Sequence, residues 1–179
     1  MAEDFYDRLE PKVFKTIARR INNAKKILEI GCGDCRLANY LARHIGCTVI
    51  GVDKNDGDFT RGRREGQKLK VSDLVYCIKG DAEYLSSFLA EKFDVCISLY
   101  VLHELRKPLK VLKEIKRILN RNGKIIVIDF PKGSAAEELW GEEYYAHKKM
   151  EFYLKKCGFK RVNVEFFEGK ELAYVTGEK

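Results

Sequence analysis

No stretch of the 179 residues strings together the roughly 20 apolar side chains needed to cross a bilayer. The opening MAEDFYDRLEPK is charged and lacks the apolar centre of a signal peptide, so the expectation is a cytoplasmic protein with no place in a membrane. Internal repeats and low-complexity linkers are missing too. With 45% hydrophobic residues there is material for one substantial core and little room for a second domain, so one domain must do everything. A chain of this size in a reducing cytosol needs no disulfide framework. The six cysteines, Cys32, Cys35, Cys47, Cys77, Cys96 and Cys157, are therefore read mostly as buried small hydrophobes. Cys32 and Cys35 stand in C-x-x-C spacing, but no second such pair completes a zinc pattern, and no metal or redox role is expected. Glutamine is almost absent, and Gln67 alone among 34% charged residues leans toward a thermophile.

A net charge of +7 raises the question of nucleic acid. Most basic residues are spread along the chain, and the one dense segment, KNDGDFTRGRREGQKLK at 54–70, reads as a solvated face.

Helix and strand patterns alternate. Leu9, Val13, Phe14, Ile17, Ala18 and Ile21 recur at helical spacing, which predicts an N-terminal helix with Pro11 in its first turn. KILEI, CTVIGVD, VYCIKGD, FDVCISL and KIIVIDF read as five short strands. Helices are expected after the glycines at 31 and 33, near Tyr84 to Leu89, and through Leu109 to Leu119 up to a stop at Asn122-Gly123. Continuous Val/Ile runs separated by helices mean parallel strands buried on both faces. A helical stretch from Ala135 to Cys157 precedes RVNVEFF and LAYVTG, whose four-residue link permits only an antiparallel hairpin. The predicted fold is α/β: a Rossmann-like, doubly wound, mostly parallel sheet with a C-terminal antiparallel hairpin. Its parts are a helix at 1–23, a core at 24–130, a helical segment at 131–158 and the hairpin at 159–179.

Such sheets bind ligands beyond the carboxyl ends of their strands, where strand order reverses. Gly31 and Gly33 follow the first strand, Asp53 ends the second, Asp81 ends the third, and Ser98 to Glu104 follow the fourth. Glycines there let the backbone approach a ligand, the next helix offers free amides, and a carboxylate about 20 residues on can accept from a ribose diol. This describes a pocket for an adenosine-containing ligand. A dinucleotide fingerprint needs a third small residue where GCGDCR has Arg36, and a dehydrogenase usually needs a substrate domain. Methyl transfer asks mainly for positioning, which one small domain can provide.

The blocks ILEIGCGDCRLANYLA, VIGVDKN, KGDAEYL, FDVCISLYVLHEL and LKEIKRILNRNGKIIVIDF, in that order, resemble the class I S-adenosylmethionine-dependent methyltransferases. Within that family they are most similar to the small-molecule type that includes the ubiquinone/menaquinone methyltransferases. The resemblance covers residues 26–130 closely and the terminal hairpin more loosely. It implies S-adenosylmethionine as cofactor and S-adenosylhomocysteine as product. It further implies that Glu29 and Gly31, with Cys32 and Gly33 in the same loop, serve the methionine amino group. Asp53, followed by Lys54, would take the ribose hydroxyls, Asp81 the adenine amino group with Ala82 behind the ring, and Ser98, Leu99 and Tyr100 the methionine side.

Tyr100, Trp140, Tyr144 and Tyr145 are candidates to line an acceptor pocket, with ring faces toward a sulfonium. His103, with Glu104 as orienting partner, is the candidate base, although the expectation is that it mainly shapes the pocket. SLYV stands where amino-group methyltransferases of nucleobases carry Asn/Asp-Pro-Pro-aromatic, and no RNA-binding module is visible. A small-molecule acceptor is expected, with RNA, mainly tRNA, as the alternative and a non-catalytic SAM-binding subunit or a NAD enzyme behind it.

Overall fold

The computed structural model describes the backbone of residues 2–179 and the side chains of residues 8–167 and 169–179. In chain order the elements are α1 (Ala2–Arg20), β1 (Lys26–Ile30), α2 (Arg36–Ile45), β2 (Thr48–Asp53), α3 (Phe59–Lys68), β3 (Val75–Lys79), α4 (Leu85–Phe88) and β4 (Phe93–Leu99). They continue with α5 (Pro108–Ile118), β5 (Leu119–Asp129), α6 (Ala135–Trp140), α7 (His147–Lys156), β6 (Lys160–Phe167) and β7 (Leu172–Glu178). One sheet runs in the order β3-β2-β1-β4-β5-β7-β6. The first five strands are parallel, and β7 pairs antiparallel with both β5 and β6. This is the doubly wound sheet with a terminal hairpin that the strand patterns predict.

Side-chain alternation splits the core in two. Ile27, Val49, Val95, Ile97 and Ile126 face Leu9, Val13, Ile17, Leu37 and Leu41 of α1 and α2. Leu28, Ile50, Cys96, Ile125 and Val127 face Leu112, Ile115 and Leu154 of α5 and α7. Both faces are covered, so strand order reverses in the middle of a buried sheet, between β1 and β4, and leaves a crevice at their carboxyl ends.

Three local expectations are corrected, and one helix stands where none was predicted. The first helix starts at Ala2, so Pro11 lies inside it and removes one backbone hydrogen bond rather than sitting in the first turn. The basic segment contains α3, whose buried face is Phe59, Gly62 and Gly66. With two glycines in place of apolar side chains, that face has no readable periodicity. The fifth helix ends at Ile118, before Asn122-Gly123, which lie within β5. The stretch 135–157 is two helices: Gly141, at φ 65°, stops α6 with its amide on the Glu137 carbonyl at 3.0 Å, and 142–146 run without helical bonding to α7. No helix among the described residues is long and apolar enough to cross a membrane.

Candidate active site

The loop after β1 turns back on β2. The Gly31 amide donates to the Val52 carbonyl at 2.8 Å, and the Gly33 amide donates to Asp53 Oδ2 at 2.9 Å. The Asn55 amide holds the other oxygen, Oδ1, at 2.9 Å. Two backbone donors therefore fix the Asp53 carboxylate, and each oxygen keeps a lone pair for a further donor. A cleft of about 350 Å³ opens beside it, lined among others by Gly31, Asp53, Lys54, Ala82, Leu99 and Tyr100. Asp81 caps the 3-10 turn that follows β3, accepting from the Glu83 amide at 2.9 Å, and its second oxygen lies 3.5 Å from Lys54 Nζ.

Glu29, Cys32 and Ser98 sit behind this cleft rather than in its wall. Glu29 is buried, its Oε2 has no hydrogen-bond partner among the described residues, and Ser98 Oγ is in the same position. Burial, reinforced by the charges of Asp34 and Asp53 and opposed by the Ala38 amide, pushes the Glu29 carboxyl up to about 8.

A second chamber of about 280 Å³ is walled by Tyr100, Phe130, Trp140 and Tyr144, with His103, Glu104 and Glu142 as polar groups and the Glu10–Arg36 ion pair at 2.8 Å beside them. Tyr100 and Glu104 belong to both spaces, so the two clefts meet at Tyr100. Its backbone is left-handed, at φ 59°, and its ring stacks on Phe130 at 4.8 Å. A strained non-glycine residue at the junction of two clefts is where backbone conformation is set by the surroundings.

His103 is held on three sides. Its amide donates to Asp129 Oδ2 at 3.0 Å, its Nδ1 lies 2.8 Å from Asp129 Oδ1, and its Nε2 lies 3.2 Å from Glu142 Oε2. The Tyr144 hydroxyl donates to the same Glu142 oxygen at 2.8 Å. Burial lowers the imidazole pKa, but the hydrogen bond and charge of Asp129, with help from Glu142, outweigh it and the net shift is upward. The orienting partner is thus Asp129, fully buried at the end of β5, whereas Glu104 stands 4.0 Å away. Burial also raises the Glu104 carboxyl.

Two further expectations are corrected. Tyr145 does not reach the chamber. Its ring packs instead on Tyr153 at 5.5 Å and under Lys149. The cysteines are not all independent hydrophobes: Cys35 and Cys77, brought together by the pairing of β2 with β3, are disulfide-bonded, and Cys32 Sγ lies 3.8 Å from Cys35 Sγ. In the basic segment, Arg61 pairs with Asp34 at 3.0 Å and with Asp58 at 3.4 Å, and Lys68 pairs with Glu65 at 3.3 Å. Sequence reasoning missed Glu10, Arg36, Phe130, Glu142 and Asp129. The only available signal was that Asp129 ends its strand as Asp53 does.

Residues 28–127 match the family model described as Methyltransferase domain. The chain is 26% identical over 133 residues to the sterol 24-C-methyltransferase of Debaryomyces hansenii, covering 74% of this chain and 34% of that protein. It is 28% identical over 119 residues to the ubiquinone biosynthesis O-methyltransferase of Actinobacillus pleuropneumoniae, covering 64% of this chain and 50% of the relative. The chain thus spans half or less of these curated relatives. Among solved structures, the [4+2]-cyclase SpnF superposes with a TM-score of 0.82 at 16% identity, over 94% of this chain and 80% of its own. At that identity the likeness concerns the fold alone, and one fold hosts different reactions. The family model, which matches more than half of the chain, decides the membership: this chain belongs to the class I S-adenosylmethionine-dependent methyltransferase family.

Proposed function

We propose that the protein is a methyltransferase that uses S-adenosylmethionine to methylate a small-molecule acceptor. The observation that carries this reading is the meeting of the two clefts at Tyr100, one edged by a clamped carboxylate and a glycine loop, the other by aromatic rings and a buried histidine. The residues fit the cofactor. Gly31 leaves a cradle that a side chain would fill, since a Cβ there would lie 2.3 Å from Val101 Cγ2. The unpartnered oxygen of Glu29 suits a cationic amino group, and Asp53 has lone pairs left for a diol. Asp81 with Ala82 suits the adenine edge and face, with Lys54 and Leu99 alongside. When bound, the cofactor supplies an electrophilic methyl group on a sulfonium.

What the chain itself does is position the acceptor and manage its proton. Tyr100, Phe130, Trp140 and Tyr144 favour a flat, apolar body. Asp129 keeps the proton on His103 Nδ1, which leaves Nε2 as the acceptor once Glu142, an exposed side chain, swings away. A hydroxyl entering in place of Glu142 would give its proton to Nε2. His103 is thus the proposed base, and Asp129 a positioning residue.

Calorimetry with S-adenosylmethionine, S-adenosylhomocysteine and NAD tests the reading. Both sulfur ligands should bind and NAD should not, and Asp53→Ala should weaken binding by about 1.5–3 kcal/mol, the usual worth of hydrogen bonds to a charged group. Tight NAD binding, or undiminished affinity in Asp53→Ala, would overturn it. A labelled-methyl screen against hydroxylated aromatic metabolites would then find the acceptor.

A further inference from the structure

Behind the cofactor loop, on the side away from the acceptor chamber, the sheet carries a gap. Glu29 of β1, Gly51 of β2 and Cys77 of β3 are register partners, so they form one row on one face. Gly51 brings no side chain to the middle of that row. Two cysteines of the loop fill the space: a Cβ on Gly51 would lie 2.7 Å from both Cβ and Sγ of Cys32 and 3.8 Å from Cys35 Sγ. A glycine inside a buried strand marks a place where something else comes close, and here it is sulfur.

The sulfurs of Cys32, Cys35 and Cys77 all lie within 4.8 Å of one another, with Cys32 and Cys35 at 3.8 Å. A tetrahedral ion holding thiolates at about 2.3 Å sets its sulfurs roughly 3.8 Å apart, so the first pair already has the required spacing. Burial first, and then the nearby carboxylates of Asp53 and Asp34, hold the Cys32 thiol above its ordinary range, so a thiolate forms there only against a compensating positive charge. Three thiolates there call for a cation. Access exists as well: Cys77 is half-buried and lines both a cleft of about 820 Å³ around the β3 edge and a smaller one of about 270 Å³.

We propose that Cys32, Cys35 and Cys77 form a three-thiolate site for a soft divalent cation, with Zn2+ and Cd2+ as its probes, that clips the glycine loop to β3. The ion-bound form and the Cys35–Cys77 disulfide are alternative states of one cluster. A dithiol reductant gives two electrons and two protons to the disulfide, becoming a disulfide itself and leaving three thiols. A divalent ion then binds three thiolates as three protons leave, and solvent takes the fourth position.

The test uses the full chain, reduced with a phosphine and freed of reductant. Titration with Cd2+ should saturate at one equivalent, raise a thiolate-to-cadmium charge-transfer band and give a 113Cd resonance in the sulfur-rich range. Zn2+ should displace the Cd2+. Cys32→Ser and Cys77→Ser should each weaken binding by about 100-fold or more, whereas Cys157→Ser, outside the cluster, should leave it unchanged. The band and the resonance are read on the wild type, so they stand even if a variant fails to fold. Reduced wild type that binds neither ion, or binding that survives both cluster substitutions, would overturn the proposal, as would a Cys35–Cys77 disulfide that no reductant opens.

Discussion

Replacing Gly31 with alanine separates two costs that the cofactor loop imposes on any side chain. The residue sits at φ 69°, and a Cβ would lie 2.3 Å from Val101 Cγ2, 2.9 Å from Cγ1 and 3.1 Å from Cβ. The left-handed backbone alone costs an L residue roughly 1–2 kcal/mol. Overpacking against a branched side chain adds about 1–3 kcal/mol, so Gly31→Ala should lose about 2–5 kcal/mol in all. Gly33 provides the control, since its φ is 48° and nothing lies within 4 Å of a Cβ there. Gly33→Ala should therefore cost only the backbone term, about 1–2 kcal/mol. Val101→Ala by itself should lose about 1 kcal/mol of burial. In the double variant Gly31→Ala/Val101→Ala both Cγ collisions are gone and only the tight contact with the residue 101 Cβ remains, so the coupling should be favourable by about 1–3 kcal/mol. Urea unfolding with an unchanged slope measures all four corners, and Gly31→Ala alone should lower Tm by roughly 4–20 °C. Because Val101 also lines the cofactor cleft, cofactor affinity should fall in the single variant and recover in the double. Equal losses for Gly31→Ala and Gly33→Ala, or a coupling below about 0.5 kcal/mol, would refute the reasoning.

Glu29 has a folded pKa near 8 against an ordinary 4.5, so between those values the native state holds a proton that the unfolded chain does not. Its contribution is full below the lower value and is lost as pH rises through the upper one, and a urea series across that window should show a decline that Glu29→Gln flattens. His103→Gln should lower turnover by about 100-fold or more if the imidazole is the base, with cofactor affinity intact, and a loss below tenfold would return His103 to shaping the pocket. Asp129→Asn should move the acidic limb of the activity–pH profile to lower pH, because Asp129 is what raises the imidazole; an unmoved limb would remove Asp129 from the mechanism. In filter binding, tRNA should form no complex that survives physiological salt, and one that did and weakened in Arg63→Ala would move the acceptor toward RNA.

The strands were legible because a parallel strand buried on both faces must be apolar at every position, and KILEI, TVIGVD and FDVCISL are nearly so. Helix α3 was not, since its contact face is made of glycines whose role is closeness rather than burial. The same division holds in the site. Gly31, Gly33 and Asp53 were readable because each follows or ends its own strand, and the hydrogen bond from Gly33 to Asp53 spans only 20 positions of a standard βαβ unit.

Asp129, Glu142 and Cys77 follow a different logic, since what each touches depends on strand order rather than on distance along the chain. Asp129 reaches His103, 26 positions away, only because β5 lies beside β4 and its carboxyl end meets the turn that follows Leu99. Cys77 reaches Cys35, 42 positions away, only because β2 lies between β1 and β3 and offers Gly51, over which the loop after β1 can fold; a side chain there would collide with Cys32. Glu142 reaches His103 because Gly141 breaks the helical stretch and frees the segment that follows to cross the chamber. In each case a polar or sulfur-bearing residue looks ordinary in its own element and becomes chemical through a neighbour supplied by topology. The sequence pattern therefore located the cofactor side, which one βαβ unit builds, better than the acceptor side, which the end of β4, the end of β5 and the segment between α6 and α7 build together.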